Sequence, residues 1–484
     1  MRTDQIEGAE VSIGAALALE GTEAVGSPAG DAATPPRRYF HRQVLRVLRQ
    51  HVRSQSRVLQ IGCQFEELLP ALGAASGVCV DPCPQRLTRM AQRHPRFRYV
   101  RADSESFDVR GPFDVALLCD IVADSADIQA CLQRVRRVCD PSTRIILLHY
   151  NLLWEPVLKL ASLLGLRRRT PEQNWLTAAD VDNLLTLAGF EAVRRTDELL
   201  MPVGVPGLSA LCNRVLARLW PTRALSLLKL VVAKPVGDTT QPDRSLTCSV
   251  VIPTRNERGN IADAVRRTPQ MGAHTELIFV DGDSTDGTAE EIERVIAENP
   301  DRDIRLIRQG QGRGKGDAVR KGFAAARGDI LMILDADLTV PPEELPKFFD
   351  GIASGKAEFI NGTRLVYPMQ RDAMRFLNKL ANAFFSRLFT WLLEQRFRDT
   401  LCGTKVLRRR DYERIAADRA YFGDFDPFGD FDLIFGAAKA NLKILEIPIR
   451  YRARAYGESN IRRFLHGLLL LRMSGVALRK LKLR

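Results

Sequence analysis

None of the nine cysteines pairs with another at C-x-x-C spacing. Zinc clusters and small disulfide frameworks need such spacing, so neither is expected. No uninterrupted apolar stretch approaches the ~20 residues that carry a helix across a bilayer. The apolar run Val11–Leu19 follows Asp4, Glu7 and Glu10, where a secretory leader would carry basic residues. Scattered thiols and no leader set the expectation of a reducing cytoplasm. Self-similarity at a solenoid period is missing as well. Arginines are plentiful but dispersed, without interleaved aromatics or a groove-reading motif, so nucleic acid is not an expected partner.

What is present is a globular composition, 45% hydrophobic and 27% charged, with a net charge of +13 over 484 residues. That length exceeds one ordinary core and predicts two or three domains. The positive excess allows an anionic lipid, nucleic acid or a phosphorylated substrate, and charge alone does not choose among them. Residues 1–35, rich in small residues and ending near Thr34-Pro35-Pro36, read as a loose tail. A Pro/Gly/Thr break at Pro235–Pro242 divides the rest. The expected domains are 36–235 and 247–455, with a linker at 236–246 and a basic amphipathic segment at 456–484.

Both blocks alternate short β-rich runs with amphipathic helical patterns. In the first, strands are expected at Arg57–Ile61, Gly77–Val80, Arg98–Val100, Phe113–Leu118 and Arg144–His149. In the second they are expected at Cys248–Pro253, Glu276–Val280, Ile304–Arg308 and Ile330–Leu334. This alternation predicts two α/β, doubly wound Rossmann-like domains, each built on a parallel sheet.

Ligands of such sheets sit at the carboxyl ends of the strands. In the second block those ends carry Pro253-Thr-Arg-Asn256-Glu257, then Asp281-Gly-Asp283-Ser-Thr-Asp286, then Asp335-Ala-Asp337. An acidic turn explains any one cluster but not the set. Asp335 and Asp337 follow the apolar run Ile330-Leu-Met-Ile-Leu334 and suit Mg2+ or Mn2+. Such ions take one or two carboxylates and complete their shell with phosphate and water, and they neutralise a leaving diphosphate.

Residues 248–456 resemble a family 2 glycosyltransferase of the GT-A fold, particularly the polyprenyl-phosphate (dolichyl-phosphate) sugar synthases. Val250–Glu257 is similar to the family's opening strand and Phe279–Thr288 to its nucleotide-binding loop, with Gly282 where the family more often has a second Asp. Gly312–Ala318 is similar to its Gly-Lys-Gly turn, and Arg327–Leu338 to its metal-binding strand. The resemblance implies an inverting hexosyl transfer from a nucleotide-sugar to a polyprenyl phosphate at a membrane surface. It implies donor contacts from Pro253, Asn256, Glu257, Asp281, Asp283, Lys315, Asp335 and Arg364, with metal on Asp335 and Asp337. Lys315 is not part of a P-loop, because the glycine spacing is one short and Gly316 replaces the metal-binding Ser/Thr. Contact with the donor and a solvated cap both remain open for it.

Further on, Asn361–Arg364 is similar to the family's Gly-Ser-Arg step and Asp399–Lys405 to its Asp-x-x-x-Gly segment. Phe428–Leu433 resembles an acceptor-side acidic motif, which implies catalytic roles for Asp430 and Asp432 beside Asp337. A hydroxyl acceptor would need one of them as general base, whereas a phosphate acceptor is already ionised and needs only orientation. Arg450, Arg452, Arg454 and Ser459 resemble the phosphate-contacting stretch, though Asn460 stands where the family often has Lys. The three arginines would share one face of a strand.

Two stretches, 374–397 and 464–484, carry apolar stripes with basic fringes. Each alone reads as a core helix, and together they raise the expectation of a helix lying in the lipid interface. The enzyme would then be peripheral on the cytoplasmic face.

The first block resembles a class I S-adenosylmethionine-dependent methyltransferase, through Val58–Cys63, Gly77–Pro82, Phe113–Asp120 and Trp175–Phe190. Gly62 and Asp81 would meet the cofactor. Where that family has Glu-x-Gly-x-Gly-x-Gly, this chain reads Gln60-Ile-Gly62-Cys-Gln64-Phe-Glu66. Long side chains replace two glycines where backbone should approach the cofactor, which opposes retained methyl transfer. The alternative function is methyl transfer with a sugar-nucleotide-binding module.

Overall fold

Short apolar runs become strands and the amphipathic stretches between them become helices. A computed structural model describes residues 35–119, 121, 125–163, 174–219, 222–237, 241–311, 314–364, 376–400, 402–421, 430–450, 456 and 471–482. The chain divides into two compact units, Met1–Val236 and Gly237–Arg484.

The N-terminal unit opens with α1 (Pro35–Leu48), β1 (Arg57–Ile61), α2 (Leu68–Leu72), β2 (Ser76–Asp81), α3 (Pro84–Arg93) and β3 (Arg98–Arg101). It continues with β4 (Val115–Cys119), α4 (Ile128–Arg137), β5 (Arg144–Tyr150), α5 (Glu155–Leu163) and α6 (Ala178–Leu187). The last elements are β6 (Phe190–Glu198), α7 (Leu208–Arg214) and β7 (Leu228–Pro235). Sheet order is β3-β2-β1-β4-β5-β7-β6. Alternation along the strands feeds two cores: Leu117 and Ile146 enter one, Leu118 and Leu147 the other.

The C-terminal unit begins with β8 (Thr247–Thr254), α8 (Ile261–Arg267), β9 (His274–Asp281), α9 (Thr288–Glu298), β10 (Asp303–Arg308) and α10 (Gly314–Ala325). Next come β11 (Ile330–Ile333), α11 (Leu345–Ala353), β12 (Phe359–Thr363) and α12 (Phe376–Leu393). It ends with β13 (Lys405–Arg408), α13 (Arg409–Ala417), α14 (Asp430–Lys439) and β14 (Ile444–Pro448). The order is β10-β9-β8-β11-β13-β12-β14. Val250 and Ile252 of β8 face one core while Val251 faces the other.

Both sheets are doubly wound, as the alternation predicts. Each also holds one strand against the direction of the rest: β7 opposes β5 and β6, and β13 opposes β11 and β12. The parallel sheet expected from the alternation therefore holds for most strands but not for β7 and β13, because apolar alternation does not carry strand direction. In both sheets strand order reverses beside the first strand, between β1 and β4 and between β8 and β11. Those are the two crevices where ligands are expected.

The described parts of the two C-terminal stretches mostly enter the core, with Phe384 and Leu471 exposed and residues 374–375 and 464–470 outside the described residues. Phe385, Phe389, Leu392 and Leu393 of α12 are buried beside Phe397, Phe431 and Phe435. In the described helix at 471–482, Met473, Ala477 and Leu481 enter the same core. Lys482, only 3% exposed, pairs with Glu394. A helical apolar period is the same whether its face meets protein or lipid, and from Phe385 onward the α12 face meets protein. Among the described residues, no helix is long and apolar enough to cross a membrane. β14 ends at Pro448, so Arg450 lies beyond the strand expected to carry it. Arg452, Arg454 and Ser459 fall outside the described residues.

Candidate active site

The loops after β8 and β9 are knitted together. Asn256 and Asp283 have φ of 57° and 56°, in the left-handed region that Asn and Asp tolerate better than most residues. The Asn256 backbone N–H donates to Ser284 Oγ at 2.9 Å, and its Oδ1 accepts from Thr285 N at 2.8 Å. Glu257 N–H donates to Thr288 Oγ1 at 3.0 Å, and its carboxylate accepts from Asn260 Nδ2 at 2.7 Å. Glu257 is thus used in bracing the loop. Pro253 is half-buried near the end of β8, and Asp283 is exposed.

Asp281 closes β9 and is 3% exposed. Its Oδ2 accepts from Ser284 N at 3.3 Å, whereas Oδ1 is buried with no hydrogen-bond partner among the described residues. Leaving a carboxylate oxygen so is costly, and such atoms point to a donor supplied from outside the chain. Beside it, a Cβ on Gly282 would lie 2.9 Å from Gln309 Oε1. Gln309 is itself held by Gly314 O at 3.0 Å and Asp317 Oδ2 at 2.8 Å. A glutamine from the end of β10 therefore crowds the position where the resembled family more often has an acid.

Beyond β11 lies Asp335. Lys315, at the start of α10, holds its Oδ1 at 2.6 Å. Burial alone would raise the Asp335 pKa, but Lys315, with Lys405 and Arg364, brings it below the usual carboxylate value. Gly403 supplies the other wall: a Cβ there would lie 2.0 Å from Asp335 Oδ2 and 2.6 Å from Lys315 Nζ. Asp337 Oδ1 accepts from Thr339 N at 3.1 Å and Thr339 Oγ1 at 2.9 Å, an Asx turn that fixes the loop. Arg364 forks onto Asp399, Nε to Oδ2 at 2.7 Å and Nη2 to Oδ1 at 2.8 Å. That pairing presents the guanidinium rigidly.

The Asp335–Ala–Asp337 pair fits a hard divalent ion. Its two carboxylates are ionisable oxygens on one turn, and glycine at 403 keeps space beside Oδ2. Among the described residues, no three His, Cys, Asp or Glu gather into a complete cage. The donor set therefore matches an ion that takes further oxygens from phosphate and water.

Asp430 opens α14. Asp432 stands two residues on, 3.8 Å from Arg320 Nη1 and 3.4 Å from Arg419 Nε, in a groove lined also by Tyr412 and Lys439. Its charge partners are thus on α10 and just beyond α13. Arg450 is exposed. Two contributors escaped the reading from sequence. Lys405, fully buried, is the cation that follows the Asp399–Gly403 segment, and only its place after that segment hinted at it. Gln309 had no local signal.

In the N-terminal unit the residues do not fit S-adenosylmethionine. Asp81 is 1% exposed and both its oxygens are in use. Oδ2 takes Cys63 N at 2.7 Å and Arg86 Nη1 at 2.6 Å, and Oδ1 takes Cys83 N at 2.8 Å. A ribose would have to displace or share that ion pair. Gln60, fully buried, donates to the carbonyls of Gly62 and Phe65 at 3.3 Å each and draws the loop inward. Glu66 pairs with Arg89 at 2.7 Å and ties the same loop to α3. Gly62 does keep the turn, with φ of 77°.

Comparison with known proteins finds two matched regions. Residues 249–415 match the family described as glycosyl transferase family 2, and residues 59–147 match a methyltransferase domain. A dolichol-phosphate mannosyltransferase of Pyrococcus furiosus is 30% identical over 219 residues, 44% of this chain and 59% of that protein. An undecaprenyl-phosphate 4-deoxy-4-formamido-L-arabinose transferase of Shewanella sediminis is 34% identical over 143 residues, 29% of this chain and 42% of that one. The chain thus spans about half the length of these relatives. A crystal structure of the glucosyl-3-phosphoglycerate synthase of M. tuberculosis aligns at 20% identity and a TM-score of 0.36, over 49% of this chain and 82% of that chain. The polypeptide thus carries one region that matches a methyltransferase domain and one that matches glycosyl transferase family 2, the latter similar to polyprenyl-phosphate sugar transferases.

Proposed function

We propose that the C-terminal unit transfers a sugar from a nucleotide-sugar donor to a polyprenyl phosphate, with Mg2+ or Mn2+ held by Asp335 and Asp337. One observation carries the reading: an ionised Asp335 at a strand end, walled by Gly403 and surrounded by the charges of Lys315, Lys405 and Arg364. That arrangement suits a diphosphate, whose negative charge grows as the sugar leaves. The relatives' names, dolichol-phosphate and undecaprenyl-phosphate transferases, support the acceptor class.

Asp281 accepts a hydroxyl or amide hydrogen of the donor through its buried Oδ1, while Asn256 and Glu257 keep the loop rigid around it. The bound ion supplies Lewis-acid neutralisation of the leaving diphosphate. Lys315 and Arg364 hold phosphate oxygens, with Asp399 fixing the direction of the guanidinium. A phosphate acceptor arrives ionised, so no carboxylate needs to take a proton. Asp430 and Asp432 then orient groups, and Arg450, Arg452, Arg454 and Ser459 receive the acceptor phosphate at a cytoplasmic membrane face.

The test is a screen of nucleotide-sugars with and without a short polyprenyl phosphate, in detergent, with metal or chelator. Transfer should need metal and fall by about a thousandfold in Asp337→Ala, the scale at which removing a main electrostatic stabiliser is felt. Full activity in chelator would overturn the reading. For the N-terminal unit we propose a role without S-adenosylmethionine, because Arg86 holds the ribose-side acid. Calorimetric titration of the whole protein should detect no S-adenosylmethionine binding, and micromolar binding would restore methyl transfer as the alternative.

A further inference from the structure

Lys315 Nζ lies 2.6 Å from Asp335 Oδ1. That is the length of a charge-assisted hydrogen bond, so the ammonium uses an oxygen that a divalent ion on Asp335 would also need. Both groups pack on the same glycine. A Cβ at 403 would stand 2.0 Å from Asp335 Oδ2 and 2.6 Å from Lys315 Nζ. The ammonium and any ion on this carboxylate therefore share one small space.

Of the cations acting on Asp335, Lys315 is the one placed to move. The charges of Lys405 and Arg364 also reach that carboxylate. Lys405 is fully buried and donates to Cys402 O, and Arg364 is forked onto Asp399. Lys315 and Asp335 instead keep 26 and 28% of their side-chain surface open, so Lys315 can leave without unpacking a core. Its four-carbon stem and rotatable donors suit it to exchange one oxygen for another.

Charge sets when that exchange is favourable. With Lys405 fixed nearby, a divalent ion beside an undisplaced Lys315 meets like charge at short range, where solvent screens poorly. Releasing Lys315 with no anion to receive it leaves an ammonium unpaired next to the ion. A diphosphate supplies the missing oxygens. Each of the two ligands then favours the other, and such coupling is reciprocal.

We propose that Lys315 couples the two halves of the donor complex: it holds Asp335 Oδ1 against a divalent ion alone, and yields that oxygen when a diphosphate receives the ammonium. The inference rests on the assignment of the ion to Asp335 and Asp337, and adds the reason why metal and diphosphate fill the site together. A bond that merely pinned α10 to the end of β11 would have the opposite consequence. Its loss would loosen Asp335 and weaken the ion, whereas loss of a competitor strengthens it.

The experiment is titration of the whole protein with Mn2+ alone, the free ion being counted by electron paramagnetic resonance. Lys315→Met should bind Mn2+ about tenfold more tightly than the parent, a factor within the usual range of coupling between sites. Lys315→Arg keeps the charge and should stay near the parent. Adding Asp337→Ala to Lys315→Met should abolish the gain. With Mn2+ saturating, whichever of UDP and GDP the parent binds better should lose about tenfold in Lys315→Met. Circular dichroism checks the fold, and Lys315→Gln repeats the test if the methionine variant folds poorly. The proposal is overturned if the folded variants bind Mn2+ no more tightly than the parent, or if the gain survives Asp337→Ala. Should neither parent nor variants bind Mn2+ even with UDP or GDP, the metal assignment falls and this inference with it. A parent that binds Mn2+ through Asp337, with no gain in the variants, removes the coupling alone.

Discussion

A methyl group at position 403 would collide with Asp335 Oδ2, 2.0 Å from the ideal Cβ, and with Lys315 Nζ at 2.6 Å. Relief requires moving the carboxylate, and displacements near 1 Å at a reacting centre cost on the order of a hundredfold. Gly403→Ala should therefore lower kcat/KM by about that factor with the fold intact by circular dichroism. His149 gives a residue-scale prediction in the other unit. It is 3% exposed, its Nδ1 meets Tyr150 O at 3.1 Å, and burial lowers its pKa from 6.5 to about 4. The unfolded chain then takes up the proton first as pH falls. The contribution of this group is complete above pH 6.5 and is lost on acidification toward pH 4. At pH 5 the loss is about 2 kcal/mol. Thermal melts across this range should show the slope, and His149→Leu should flatten it.

At the scale of elements, α10 lies so close to β8 that a Cβ on Gly322 would stand 2.3 Å from Val251 Cγ1. Overpacking of this kind costs about 1–3 kcal/mol. Gly322→Ala should lower the denaturation midpoint accordingly, and adding Val251→Ala should recover part of the loss. Elements are also where sequence reading succeeds and fails for identifiable reasons. β8, β9 and β11 were legible because buried parallel strands are short apolar runs closed by polar turns. Asp281 and Asp335 were legible with them, being fixed by strand ends. Gln309 and Lys405 were not, since their positions depend on neighbours remote in the chain. For α12 the period describes a face without saying what covers it, so the choice between core and lipid was not legible.

The two units each have a sheet with its own pair of cores, which gives each the means to melt independently. Scanning calorimetry of the whole protein should resolve two transitions. A nucleotide-sugar with Mn2+ should raise one of them alone, by about 2.7 kcal/mol at a hundredfold excess over Kd. One coincident transition, shifted as a whole, would count against separate cooperative units.

β13 reaches β11 across a large separation in sequence, pairing Arg408 with Ile330. Pairings so remote wait for the chain between them to be closed, and they form late. Gly403 and Lys405 arrive with that strand, so the cationic surroundings of Asp335 are incomplete in a partly folded chain that has only β8 to β11. Under the proposed reaction, molecules in which only β8 to β11 have folded would bind no donor, so transfer would begin only with the native state.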